Sequence, residues 1–392
     1  MLAPTVAAAD PDTESQPAET TTPEDAAPSP AVPPAVRVPD AGSPSKAGGP
    51  PQPLLPSKGF AWEPFGYLRL QYVMIQNDPN VAFVGRDDGF QLQNARIGVR
   101  GALGDRAAFV FSLDGATDER ERVNVPVGRL RASMRDAYGD FVLGGALVAR
   151  GGYFHTLVDP QNMIADTSRE LVDRPIESRG VRATEGYQTP TLAPGRSLGA
   201  AIRLDPEVPT SGARFGFELA LQNGGDEFAS NNDNDKPAAS ASLLARFAGD
   251  SFVVASVRYN PRTVGELPFR QDENDLQATG GARIVAGPAA VSGGVIFTHT
   301  TFPSTGGPAQ NAFGAHGQIM VRLGSAPVAL GYRFGILDPS SLITTDRVME
   351  HTAAAVLGVP RFRMRLQLQL THSSEQRSLS NDRAQLAAEV AL

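Results

Sequence analysis

The chain has 392 residues, a formal charge of −7 and no cysteine, which excludes disulfide frameworks and cysteine-ligated metal sites and argues against nonspecific nucleic-acid binding. Charged residues make up 20%, aromatics 7%, and glycine is plentiful at 40 residues, a profile suited to many strands joined by many turns. No apolar run reaches the roughly 18 residues that a helical membrane span needs, but strands that alternate apolar and polar residues escape that test.

Residues 1–58 hold 14 of the 32 prolines, mixed with Ala, Ser, Thr and acids and without apolar periodicity. Such a segment buries too little surface to offset its ordering entropy and is expected to be disordered, on the periplasmic side. Ala7, Ala8 and Ala9 before Asp10 resemble the small-residue end of a signal peptide, although no basic n-region or long h-region precedes them.

From 59 to 392 the pattern changes. Segments of roughly ten residues alternate apolar and polar and are separated by turn residues. Strands are expected at 65–76, 90–101, 106–115, 132–143, 147–155, 196–204, 213–223 and 238–248. Eight more are expected at 251–260, 275–286, 289–299, 312–323, 327–336, 349–357, 361–372 and 382–392. In the clearest of them, Met364, Leu366, Leu368 and Leu370 share one face, and Arg363, Arg365, Gln367 and Gln369 share the other. Short connections such as Gly144-Gly145, Gly249-Asp250 and Gly287-Pro288 alternate with long ones. The long ones include Asn77 to Gly89, Thr117 to Arg129, Pro261 to Asn274 and Leu337 to Val348. That rhythm predicts an all-β fold, a closed antiparallel transmembrane β-barrel of about sixteen strands with tight periplasmic turns and longer extracellular loops. Closure follows because lipid offers no partner for a free strand edge.

Lysine occurs only at Lys46, Lys58 and Lys236, so the other 32 of the 35 basic residues are arginine. Projecting the strands places Arg69, Arg96, Arg100, Arg203, Arg214, Arg246, Arg258, Arg283, Arg322, Arg333, Arg363 and Arg365 on the lumen face. Arginine rings in a narrow low-dielectric pore attract anions. The competing reading is that these arginines pair with Asp114, Asp136, Asp140 and Glu218 and leave a non-selective wall. The longest connection, 156–195, follows the fifth strand and carries Asp166, Arg169, Glu170, Arg174, Arg179 and Arg182. Long loops in compact domains are usually functional. Folded into the lumen, these opposed charges would form a constriction with a transverse field; otherwise they form an extracellular lid of salt bridges.

Several stretches carry a family resemblance. They are Phe90-Gln91-Leu92-Gln93-Asn94-Ala95-Arg96-Ile97-Gly98-Val99-Arg100-Gly101, Phe109 to Ala116, Asp136-Ala137-Tyr138, Gly152-Tyr153-Phe154-His155, Pro194 to Gly199 and Leu221-Gln222-Asn223-Gly224. In order and spacing, from about Phe65 to the C-terminus, the chain resembles the phosphate-selective porins (porins O and P). The resemblance implies a homotrimeric outer-membrane channel for small anionic solutes, set in lipid and lipopolysaccharide. The lysine clusters of that family have no counterpart here.

Catalytic motifs are weak. Gly195-Arg196-Ser197-Leu198-Gly199 fits G-x-S-x-G, but a strand, not a helix, is expected after it. His372 and Ser374 fall on the outward face of one strand at the extracellular rim, a pairing similar to outer-membrane phospholipase. The alternative function is therefore a lipid acyl hydrolase, with no orienting partner for His372 assignable from sequence. His155, His299, His316, His351 and His372 lack metal-ligand spacing, so no metal, cofactor or catalytic residue is expected.

Overall fold

The computed structural model describes residues 59–86, 88–118, 129–224, 234–265 and 270–392; the proline-rich stretch 1–58 lies outside them. Sixteen strands follow in chain order. They are β1 (Phe60–Ile75), β2 (Gly89–Leu103), β3 (Ala107–Asp118), β4 (Arg129–Gly144), β5 (Leu147–Phe154), β6 (Ser197–Leu204), β7 (Ala213–Gln222) and β8 (Ala238–Phe247). The second half comprises β9 (Ser251–Val264), β10 (Gln271–Ala286), β11 (Ala289–Thr301), β12 (Gln310–Arg322), β13 (Val328–Asp338), β14 (Val348–Val359), β15 (Met364–Glu375) and β16 (Arg383–Ala391). Each strand pairs antiparallel with its chain neighbours, and β16 closes on β1 with Leu70 opposite Ala388. The sheet closes on itself as a barrel.

The sides of the wall are inverted relative to a water-soluble protein. In β1, Arg69 and Gln71 are buried inside while Leu68, Leu70 and Met74 are exposed outside. In β15, Gln367 and Gln369 are buried while Leu368 and Leu370 are exposed. Exposed Phe60, Trp62, Phe215 and Phe362 mark the end that carries the short turns, as an interfacial aromatic girdle does. An apolar exterior around a polar interior fits a hydrocarbon surround.

Several strands run further than the alternation suggests. The sequence from Pro261 to Asn274 reads as a loop, yet β9 continues to Val264, β10 starts at Gln271, and Pro261 pairs with Asn274. Above the lipid the outward face has no reason to be apolar, so Gln271-Asp272-Glu273-Asn274 carries no alternating signal. Pairing of β8 with β9 stops at Tyr259, so Pro261 sits where β9 is a free edge on that side, a place strands tolerate proline. The opposite error occurs at Arg363. Pro360–Phe362 form a 3-10 turn and Arg363 adopts a left-handed conformation with φ of 48°. Arg363 is thus an exposed turn residue outside β15.

Two bulges re-aim side chains. Gln93 is an extra residue in β2, between the pairs Arg69–Asn94 and Leu70–Leu92. Arg135 is an extra residue in β4, between Ser112–Asp136 and Leu113–Met134. Both side chains reach inward: Gln93 donates to the Val172 carbonyl at 3.3 Å, and Arg135 to Asp114 at 3.2 Å.

Candidate functional site

The connection from His155 to Arg196 is bound to the inner wall on most of its circumference. Leu157 N–H donates to Glu218 of β7 at 2.8 Å, and Ser256 of β9 donates to the Leu157 carbonyl at 3.2 Å. Gln277 of β10 donates to the Leu192 carbonyl at 2.6 Å. The Val172 N–H donates to Gln369 of β15 at 3.1 Å. Close approach needs wall positions without side chains. A Cβ on Gly281 would overlap Pro160, and one on Gly314 would overlap Glu177. Both side chains therefore lie where only glycine leaves room.

Charged groups complete the attachment. Glu170 pairs with Arg283 of β10 and accepts from Gln318 of β12 at 3.1 Å. Glu177, on the short helix α1 (Ile176–Arg179), pairs with His316 of β12, whose other ring nitrogen is 3.2 Å from Gln161. In a third cluster, buried Asp173 meets Arg182 at 2.9 Å and Arg383 of β16 at 3.2 Å, while buried Glu185 meets Arg179, Arg182 and Arg383. Burial raises the Asp173 and Glu185 carboxyls, but the surrounding guanidinium groups outweigh it and hold both below the ordinary carboxylate range. Charges this deep are sustained only by such full pairing.

A polar cavity of about 210 Å³ lies between the connection and the wall near β2, β4 and β5. Arg135, Arg169, Arg174 and Arg196 line it, with Asp166, Asn94, Tyr153, His155 and Ser178. The partners of these arginines sit behind them. Arg135 holds Asp114, Arg196 holds Asp136 at 3.0 Å, and Arg174 holds Asp159 at 3.1 Å. Those three carboxylates are at most 2% exposed, whereas Arg135 is 30% and Arg174 21% exposed. The region is near charge balance, but four of its five charged lining side chains are arginine. Asp166 is the lining carboxylate, and Arg96 at 3.0 Å, Arg169 and Arg174 at 3.7 Å surround it. Two buried polar atoms here, Arg169 Nε and His155 Nδ1, have no hydrogen-bond partner among the described residues.

Titration follows from this crowding. Burial, then the charges of Arg196, Arg174 and Arg135, push His155 well below the ordinary imidazole value. Burial would raise Asp166, but Arg169, Arg174 and Arg96 hold it well below the ordinary carboxylate range. A depressed carboxyl stabilises the fold above its unfolded value, and that contribution is lost only as pH falls through the folded value. Neither shift places a charge change in the range where an ordinary histidine switches. Ion preference across a bilayer is expected to be flat over that range. A step in reversal potential near pH 6 would contradict the assignment.

The structure divides the sequence candidates into groups. Arg169, Arg174 and Asp166 come together at the cavity. Arg179, Arg182 and Glu170 do not: Arg179 and Glu170 anchor the connection to Glu350 of β14 and Arg283 of β10, and Arg182 ties Asp173 to Glu185 within the connection. Arg69 and Arg365 both pair with Glu389, and Arg96 pairs with Asp136. Arg203 and Arg246 share Asp205, at 2.6 and 2.9 Å. Arg333 donates to the Asp173 carbonyl at 2.8 Å, and Arg283 is held by Glu170. Arg100 pairs with Glu63 near the short-turn end, where Arg214 and Arg322 are exposed. Arg258 is half-buried and inward. Arg135, Arg196 and His155 join the site although projection of the strands does not select them. Strict alternation sends Arg135 outward, and only the bulge brings it in.

At the rim, His372 Nδ1 is 2.8 Å from Asp382 Oδ1, an orienting partner that the sequence does not identify. Ser374 makes no hydrogen bond to His372 among the described residues.

No protein-family model and no curated protein matches the chain. Solved structures share its fold. The anion-selective porin from Comamonas acidovorans is 14% identical with a TM-score of 0.58, covering 85% of this chain and 100% of its own. The outer-membrane channel DcaP of Acinetobacter baumannii is 12% identical, with a TM-score of 0.56 and coverage of 86% and 100%. OmpT, an outer-membrane protein of Vibrio cholerae solved in a trimer form, is 10% identical, with a TM-score of 0.58 and coverage of 86% and 100%. The chain has the sixteen-stranded barrel fold of outer-membrane channels.

Proposed function

We propose that the chain is an outer-membrane porin through which small anions diffuse passively, in a homotrimer surrounded by lipid and lipopolysaccharide. The observation that carries the reading is the cavity beside the inward connection, where Arg135, Arg169, Arg174 and Arg196 line the space with a single carboxylate, Asp166, while Asp114, Asp136 and Asp159 lie buried behind. Its volume of about 210 Å³ suits inorganic oxyanions and small carboxylates. Fork-shaped guanidinium groups recognise both in bidentate fashion. The resemblance to phosphate-selective porins supports phosphate-like solutes, and the Comamonas and Vibrio neighbours support, respectively, anion preference and a trimer. Because buried carboxylates offset much of the cationic charge, the preference is moderate rather than absolute.

Substitution of Arg135 and Arg174 by serine tests this reading. Removing one charge about 6 Å from a permeating ion in a water-like medium is worth about 0.7 kcal/mol, or roughly threefold in permeability. The double variant also bares Asp114 and Asp159, so its reversal potential in a salt gradient is expected to move to the cation side. An unchanged reversal potential would sink the reading.

A further inference from the structure

On the outer face of the barrel, four side chains form one row at the long-loop end: Tyr332 of β13, His351 of β14, His372 of β15, and Asp382, the residue before β16. His351 and His372 are directly opposed in the β14–β15 register. Their rings lie 6.4 Å apart between centroids and are inclined by 28°. Each ring is held from its far side. The Tyr332 hydroxyl is 2.7 Å from His351 Nδ1, and Asp382 Oδ1 is 2.8 Å from His372 Nδ1. Neither Nε2 has a partner among the described residues. The row crosses a shallow groove of about 610 Å³ lined also by Met74, Ala353, Leu370 and Ala384.

We propose that His351 and His372 form a binding site for a divalent transition-metal ion of the Cu²⁺, Ni²⁺ or Zn²⁺ class. The chemistry of the row favours it. A carboxylate that accepts from Nδ1–H fixes the tautomer that leaves the Nε2 lone pair free, and such partners accompany most metal-binding histidines. The Tyr332 hydroxyl oxygen can accept from the other ring in the same way. The spacing fits: with metal–nitrogen bonds of roughly 2.0–2.1 Å, two imidazoles on one ion have centroids about 5–6.5 Å apart. Imidazole ligands select this class over Mg²⁺ and Ca²⁺. No cluster of three or more His, Cys, Asp or Glu converges among the described residues, so the ion keeps open positions for water. His299, the other outward rim histidine, has only Asn311 at 2.8 Å and no second imidazole, which makes it an internal control.

The test is Cu²⁺ titration of tag-free, detergent-purified full-length chain, read by electron paramagnetic resonance and by equilibrium dialysis. The wild type is expected to take one equivalent whose spectrum shows coupling to two nitrogens. His351→Ala and His372→Ala should each weaken binding by roughly tenfold or more, Asp382→Asn by roughly tenfold, and His299→Ala not at all. A wild-type spectrum without nitrogen coupling would overturn the proposal without recourse to any variant. So would unchanged binding in both His351→Ala and His372→Ala.

Discussion

Replacing residues 157–194 by a short Gly-Ser turn is expected to raise single-channel conductance several-fold and to admit disaccharide-sized solutes. The barrel can be expected to survive the deletion. Phe154 and Ser197 are paired directly across β5 and β6, so the two strand ends lie a hairpin turn apart. The sixteen-strand ladder owes none of its hydrogen bonds to the deleted residues. What the deletion removes is the material that fills the lumen, together with the close contacts of Pro160 with Gly281 and of Glu177 with Gly314. The inward arginines of the wall would then meet water instead of loop carbonyls and carboxylates. Ion preference is expected to fall at the same time, since a wider passage puts more screening solvent between a permeating ion and the wall charges. Unchanged conductance in the deletion variant would show that the connection does not limit the passage.

Arg383→Ala is expected to release the connection from the wall while leaving the barrel folded. Arg383 is 2% exposed and pairs with Asp173, which is fully buried, and with Glu185. Removing it leaves two buried carboxylates short of a counter-charge, a loss of about 3–5 kcal/mol in comparable pairs. Opening the connection into water relieves that penalty more cheaply than unfolding sixteen strands, so the cost should appear as local release. Added protease should cut between 165 and 190 in the variant and not in the wild type, and single channels should flicker between two levels. Arg383→Lys keeps one charge but not the fork that reaches both acids, so partial protection is expected. Equal resistance of wild type and Arg383→Ala to protease would remove the ion cluster as the latch.

Much of the barrel is legible in the sequence because lipid imposes a strict rule on the outward face. Leu366, Leu368 and Leu370 alternate with Gln367 and Gln369 for that reason, and strand number and loop rhythm follow. The rule lapses above the lipid, which is why β10 starts at Gln271 in a stretch that reads as a loop. It also lapses where a bulge adds a residue. Nothing local in Ser133-Met134-Arg135-Asp136 announces that Arg135 turns inward, since the extra residue is defined only against β3. The charged residues of 156–195 are plain in the composition, but composition does not sort them. Asp166, Arg169 and Arg174 reach the cavity while Glu170 and Arg179 serve as anchors, because their wall partners Arg283 and Glu350 are placed by tertiary structure. Glycine is the one remaining signal. Gly281 and Gly314 interrupt strands at the points where the connection touches the wall, and a glycine inside a strand often marks the close approach of another backbone.

The most direct test is the reversal potential of single channels formed by the purified wild-type chain in a planar bilayer under a salt gradient. Stepwise conductance with a reversal potential on the anion side, reduced by added phosphate, is the expected result. A reversal potential at zero or on the cation side would contradict an arginine-faced passage, and a protein that inserts without conducting would contradict an open channel altogether.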